Sequence, residues 1–339
     1  MISLGEYIAQ RLRGSTATIL TLLSLILSAI GTYGTYLSLY GPNVPDWFIY
    51  IAGLFPFALV AWIVFREIDL ARRRRYAPSL SELRACFRSY QDLCALLREY
   101  DTHASLSETD VRTLQKAFND HLTQLLTAFA QTFTIITGVP CRACIKIIPS
   151  EQLTGANTDL EDVVVVALAR DRESQESNLQ SDRDRFERRS DKIVSNSDFE
   201  TLYNPGIADH GYYLCNSIPR SAKHGRYRNS SVQYRRAQSA VHDVYDEDRY
   251  VLPYRSSITW PIRYQSHSQD ESIFIGFLSV DAPARRIFDR RWDPPLGKLL
   301  AAALFEPLYW YSDLIRRPPA SSPATQIQAD VAANLSTTS

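Results

Sequence analysis

The feature that most constrains this chain is an N-terminal run without a charged residue, Ser15–Tyr40 (STATILTLLSLILSAIGTYGTYLSLY). It is followed almost at once by a second, Trp47–Phe65 (WFIYIAGLFPFALVAWIVF). As helices, both are long enough to cross a hydrocarbon layer of about 30 Å. Residues 41–46 contain Gly41, Pro42 and Pro45, which interrupt a helix, so the pair reads as a two-helix transmembrane hairpin with a short external turn. Tyr33, Tyr36, Tyr40, Trp47, Tyr50 and Trp62 fall near the span ends, where amphipathic rings favour the headgroup level, and Pro56 is expected to kink the second span. Arg11 and Arg13 precede the first span and Arg66, Arg72, Arg73, Arg74 and Arg75 follow the second, while the turn carries no Lys or Arg. The positive-inside rule then places residues 1–14 and everything after the second span in the cytoplasm, making a multi-pass protein of the cell (inner) membrane. Arg72 to Arg75 read as a topology signal at the membrane surface, within reach of anionic headgroups. Arg11 and Arg13 also resemble the start of a signal peptide. The uncharged run exceeds the usual apolar length of such a leader, however, and a second span follows, which favours retention.

The first span carries small residues at Ala17, Thr21, Ser24, Ser28, Gly31 and Thr35, a stripe that lets helices approach closely. Its partner is either the second span or the first span of another subunit. Over the whole chain the 37 Lys+Arg balance the 37 Asp+Glu, which argues against a general nucleic-acid binder. Five cysteines at irregular spacing do not form a disulfide framework.

Residues 66–105 read as a basic juxtamembrane segment and helical stalk. Leu80, Leu83, Phe87, Tyr90, Cys94 and Leu97 recur at spacings of three and four, a seam for a coiled coil or helical hairpin. Ser107 and Asp110 form a capping-box-like start for a second amphipathic line, Val111 to Ile136, ended by Gly138 and Pro140. The break around 101–107 allows an antiparallel hairpin or two offset segments. From Val139 the period changes to that of strands, at 141–148, 162–169, 256–264 and 272–281, with an extended piece at 212–219 and a short helix at 198–203. Residues 170–192 read as an exposed loop or short helix, and 220–250 as a polar stretch. A last helix starts at Asp293-Pro294, and 317–339 has the composition of a disordered tail. Residues 106–316 therefore describe an α+β domain, an antiparallel sheet with helices packed on one face.

Ser257, Pro261, Arg263, Gly276, Leu278, Asp281, Phe288 and Asp289 lie in the stretch YRSSITWPIRY, a polar gap, IFIGFLSVDAP and then Phe-Asp before an apolar helix. This arrangement resembles the second half of a GAF domain, most clearly over residues 254–314. The resemblance implies a sensory module with a pocket between the sheet and the variable middle segment. Related domains bind cyclic nucleotides, tetrapyrroles, haem or small metabolites, and others only dimerise. The residue set linked to cyclic-nucleotide binding is not recognisable, and no cofactor is specified. The pocket candidates are Tyr213, Cys215, Asn216, Tyr227, Arg228, Asn229, Ser257 and Asp281, with Arg226, Arg235 and Arg236 as further cations for an anionic group.

Cys141-Arg142-Ala143-Cys144 has the spacing of a metal or redox pair, but zinc needs four ligands and no second pair exists. On a strand these thiols point to opposite faces, which favours core filling by Cys141. His210, His224, His242 and His267 lie in polar loops without an identifiable partner, and no catalytic constellation, phosphate loop or metal site emerges. The reading is a non-enzymatic, membrane-anchored cytoplasmic sensor, homo-oligomeric through the stalk and first span, that passes a small-molecule signal to a downstream protein. The alternatives are a membrane-perturbing effector triggered by the domain and a non-ligand-binding dimerisation scaffold.

Overall fold

The computed structural model describes residues 46–103, 105–149, 160–179, 190–204, 211–230, 254–265 and 272–317, and before them only 24, 28, 31–36, 39 and 41. The chain divides into two units, Met1–Pro78 and Ser79–Ser339. Of the expected first span, Ser15–Tyr40, only 24, 28, 31–36 and 39 are described, all helical; the rest lies outside the described residues. The second falls within a helix, α1 (Asp46–Asp101), that runs unbroken through Pro56 and Pro78. Among the described residues, no helix is long and apolar enough to cross a membrane, so the expected hairpin is not found there. In the first unit Arg73 pairs with Asp69 at 2.7 Å and Arg74 is exposed.

In the second unit, the end of α1 is followed by α2 (Glu108–Thr137). Its start is fixed by a capping box: the Asp110 N–H donates to Ser107 Oγ and the Ser107 N–H to the Asp110 carboxylate, both at 3.1 Å. Gly138, at φ 72°, supplies the left-handed residue that ends α2. Then come β1 (Arg142–Ile147), β2 (Val164–Arg170), α3 (Arg172–Leu179), β3 (Asp191–Lys192), α4 (Ser197–Tyr203), β4 (Tyr213–Cys215), α5 (Ile218–Lys223), β5 (Ser256–Gln265), β6 (Ser272–Ala282) and α6 (Asp293–Leu314). The strands form one antiparallel sheet in the order β3-β2-β1-β6-β5-β4.

Strand alternation sorts the sheet into two faces. Ala143, Ile145, Ile258, Trp260, Ile262, Leu278 and Val280 point to the long helices and share a core with Leu122, Phe129 and Phe133 of α2 and Leu300 and Leu304 of α6. The stalk segment joins this core: Cys86, Leu93 and Leu97 are fully buried in it, while Phe87, Tyr90 and Cys94 are half-buried and Leu80 is 61% exposed. The inward line of α1 thus keeps Leu97 of the expected seam but otherwise turns toward Cys86 and Leu93, because α1 packs on its own domain. Phe118 stacks on Tyr311 at 3.8 Å between ring centroids, and Phe133 meets Phe288 just before α6. The two contacts make α2 and α6 antiparallel. Arg317, just past α6, bonds Asp101 at 2.5 Å and so ties the end of α6 to the end of α1.

Contrary to the expectation of helices on one face, the helices are not confined to one side of the sheet. The opposite face of the sheet is covered by α4, whose Phe199 and Leu202 pack with Val163, Val165 and Phe277. The helix α3 lies in the stretch expected to be an exposed loop or short helix, and α5 spans the end of the expected extended piece and the start of the polar stretch. Asp171 accepts from Ser174 N–H at 2.9 Å and from Ala143 N–H at 2.8 Å, and Ile218 buries its side chain against Cys215 and Tyr227.

Candidate functional site

The face under α4 is where the register gathers polar side chains. Neighbouring strands place Cys215, Ser257, Asp281 and Arg142 in one cross-strand row, and Tyr213, Thr259, Ser279, Cys144 and Arg170 in the next. A third row holds Pro261, Phe277 and Lys146. Ser257, Thr259 and Ser279 are buried, although a sheet face that only filled space would carry apolar groups there. Ser279 Oγ bonds Thr259 Oγ1 at 3.2 Å, and Thr259 Oγ1 donates to Asp198 Oδ2 at 3.2 Å, which carries the network from the sheet to the first turn of α4.

Electrostatics follow from burial. Loss of water pushes the Asp281 carboxyl up to about 6, against the opposing hydrogen bond from Ser257. Burial also raises Asp198, with the nearby Lys146 charge working the other way. Burial alone would weaken the Lys146 charge, but Asp191, bonded at 2.7 Å, outweighs it and leaves the ammonium favoured. Lys146 also sits 4.9 Å from the centroid of the Phe199 ring. Burial raises the thiols of Cys144 and Cys215 and the Tyr213 hydroxyl, so all three stay neutral. Neutral thiols are poor nucleophiles and poor metal ligands. Among the described residues, no three His, Cys, Asp or Glu side chains converge as a metal site.

Of the residues expected to line a pocket, the register brings Tyr213, Cys215, Ser257 and Asp281 onto this face. The others serve different ends. Asn216 anchors the loop after β6: its amide donates to Phe288 O at 2.7 Å and accepts from Phe288 N–H at 3.1 Å. Tyr227 is buried beside Cys215 and Ile218, Asn229 donates to the Tyr254 hydroxyl at 3.1 Å, and Arg228 pairs with Glu200 on α4. Arg235, Arg236, His210, His242 and His267 lie outside the described residues. Cys141 is buried in the core and Cys144 on the other side of β1, so the CxxC thiols diverge. Sequence reasoning missed Thr259, Ser279, Asp198 and Lys146 as members of the site. For Thr259 and Ser279 the signal was present, as polar residues two apart from Ser257 and Asp281 in otherwise apolar strands. For Asp198 there was none beyond an acidic first helical turn.

The Asp281 carboxyl makes stability depend on pH. The folded chain keeps a proton that the unfolded chain releases near 3.8, so this contribution is full below about pH 4 and is lost as pH rises through about 6. Asp281→Asn removes it. Relative to the variant, the native chain is expected to lose ~1–2 kcal/mol between about pH 4.5 and 7.5, a value reduced for solvent screening. Urea midpoints at the two pH values measure it; parallel pH profiles for the two chains would refute the assignment.

No family model matches the chain, and no curated protein does. Solved GAF domains are what this chain is similar to. The GAF domain of an Acinetobacter phosphoenolpyruvate-protein phosphotransferase is 12% identical, with 64% of this chain and 92% of that one covered at a TM-score of 0.31. The corresponding domain from Coxiella burnetii is 11% identical over 65% and 94%, at 0.32. A free methionine-R-sulfoxide reductase from Neisseria meningitidis, solved with its substrate, is 11% identical over 61% and 96%, at 0.29.

Proposed function

We propose that this protein is a sensory or regulatory protein whose GAF-like domain binds a small molecule on the α4 face of its sheet. The observation that carries this reading is the set of buried polar groups there, Ser257, Thr259, Ser279 and Asp198, with the half-buried Asp281 beside Ser257. Polar side chains buried off the strand ladder cost stability unless they are hydrogen-bonded, and a few such convergent polar groups are what orients a small molecule in a pocket. The uncharged N-terminal runs support a membrane anchor with both termini cytoplasmic, and the small-residue stripe of the first run supports pairing with a second copy. In this reading a ligand on the α4 face alters the packing of the sheet against α2, α6 and the end of α1, and a downstream protein reads the change.

Native mass spectrometry of the full chain in detergent, with melting curves across nucleotides, amines, amino acids and carboxylic acids, tests the proposal. A retained ligand mass, or a melting shift with at least one compound, is expected. Neither across the panel would overturn it.

A further inference from the structure

The loops at one end of the sheet are strongly basic. Asn216 clasps the Phe288 backbone, and its own carbonyl accepts from the Arg286 N–H at 2.7 Å, so the approach to α5 and the loop after β6 are held side by side. Helix α5 and the turn behind it carry Arg220, Lys223 and Arg226, and the loop carries Arg286, Arg290 and Arg291; all six are exposed. Among the described residues, none of the six is in an ion pair. The carboxylates of the loop are engaged by backbone: Asp289 accepts from the Arg291 N–H at 2.8 Å, and Asp293 from the Asp289 N–H at 2.7 Å.

Arg286 has a further peculiarity. Its φ is 55°, and among the described residues it is the one non-glycine residue in the left-handed region. Glycine would sit there without strain, so a long cationic side chain is kept at a cost to the fold, a pattern that belongs to functional positions. Nearby, Trp292 is 38% exposed, with the Arg291 guanidinium 4.9 Å over its ring. An amphipathic ring among cations has the composition of a headgroup contact. Position in the fold favours the same partner. Helices α1 and α6 end together, tied by Arg317 to Asp101, and both pack on one core, with Glu306 of α6 near Cys94 of α1. They therefore run parallel, and Ser79, where the chain enters this unit, lies toward the basic end from which α6 starts. The sequence leading into Ser79 holds Arg72 to Arg75 and the two uncharged runs.

We propose that this basic end is a docking surface for anionic lipid headgroups, which seats the GAF-like domain on the membrane that anchors the chain. The inference takes the membrane anchor from the reading above and is independent of any ligand on the α4 face. Headgroup phosphates supply the anions that Arg220, Lys223, Arg226, Arg286 and Arg290 lack, and Trp292 enters at the level of the headgroups. Each cation near an anionic surface contributes about fivefold to the docking equilibrium, and salt screens it.

The test uses the full chain in nanodiscs of phosphatidylcholine, alone or mixed with phosphatidylglycerol, and reads arginine accessibility by phenylglyoxal labelling mapped by mass spectrometry. Arg286 and Arg290 are expected to label about threefold or more slower in the anionic discs, a difference that disappears in about 0.5 M salt. Arg112, in the first turn of α2 at the opposite end of the domain, is expected to label equally in both. Arg220→Gln is expected to weaken the protection of Arg290. Arg286→Gly is the sharper variant, because it removes the left-handed strain: it is expected to keep or raise the melting temperature while weakening the protection of Arg290. A melting temperature lowered by more than about 4 °C in Arg286→Gly, or undiminished protection in both variants, would overturn the inference. Equal labelling in the two kinds of disc would overturn it and leave the anchor standing, whereas failure of the full chain to enter either disc would remove both. Protection in neutral discs by poly-glutamate or a short RNA, with none from anionic lipid, would overturn it in favour of an acidic protein or a nucleic acid.

Discussion

Gly276→Ala is expected to leave the domain unfolded at 37 °C. A Cβ at this position would lie 2.1 Å from the Lys146 carbonyl oxygen and 2.8 Å from the Ile147 Cα, both backbone atoms of the neighbouring strand. Overpacking against side chains costs about 1–3 kcal/mol because rotamers can yield. Backbone cannot yield without parting β1 from β6, the pair at the middle of the sheet, where Gly276 sits opposite Ile147. The expected loss is therefore above ~3 kcal/mol, a large fraction of the ~5–15 kcal/mol that holds an ordinary domain together. Circular dichroism of the purified variant checks it. A melting temperature within about 2 °C of the native chain would mean that the strands do not approach so closely.

Trp260→Ala is the second large effect, at ~3–5 kcal/mol. Trp260 is fully buried on the helix side of β5, its ring near Phe129 and Phe133 and its indole N–H donating to Pro294 O at 2.9 Å. Its six-membered ring rests against Gly297 of α6 so tightly that a Cβ there would come within 2.2 Å of ring atoms. Gly297→Ala alone should thus be strongly destabilising. In the Trp260→Ala background the obstruction is gone, and the same change should become neutral or stabilising by up to ~1 kcal/mol, since alanine favours the helix. Urea midpoints of the two single variants and the double variant measure the coupling. Additive losses would show that ring and glycine do not touch.

Alternation in SSITWPIR made β5 legible from residue types alone, down to the placement of Trp260 with Ile258 and Ile262 in the core. The same alternation put Ser257 and Asp281 on the opposite side, but not what met them there. Periodicity gives a strand its two faces; it does not say which distant turn will cap one of them, and Asp198 reaches Thr259 across an interval of sixty-odd residues. Asn216 was read as a binding group because an amide offers a donor and an acceptor, and those are the properties that let it clasp the Phe288 backbone. The stalk seam misled for a related reason. Spacings of three and four mark the apolar side of a helix broadly; Leu97 of the expected line is buried, but so are Cys86 and Leu93 beside it while Leu80 is in the open, a rotation that the local pattern does not fix.

The close seat of Trp260 on Gly297 has a bearing on how the two sides of the sheet communicate. Thr259, which bonds Asp198 and Ser279, is covalently next to Trp260, which has no slack against α6. A displacement of Thr259 by an occupant beneath α4 cannot be absorbed as rotamer freedom on the other side, because interiors are packed at crystal-like density. In the proposed reading, a push on the polar residues of β5 would be delivered, one peptide bond away, to the helix whose far end is strapped by Arg317 to Asp101.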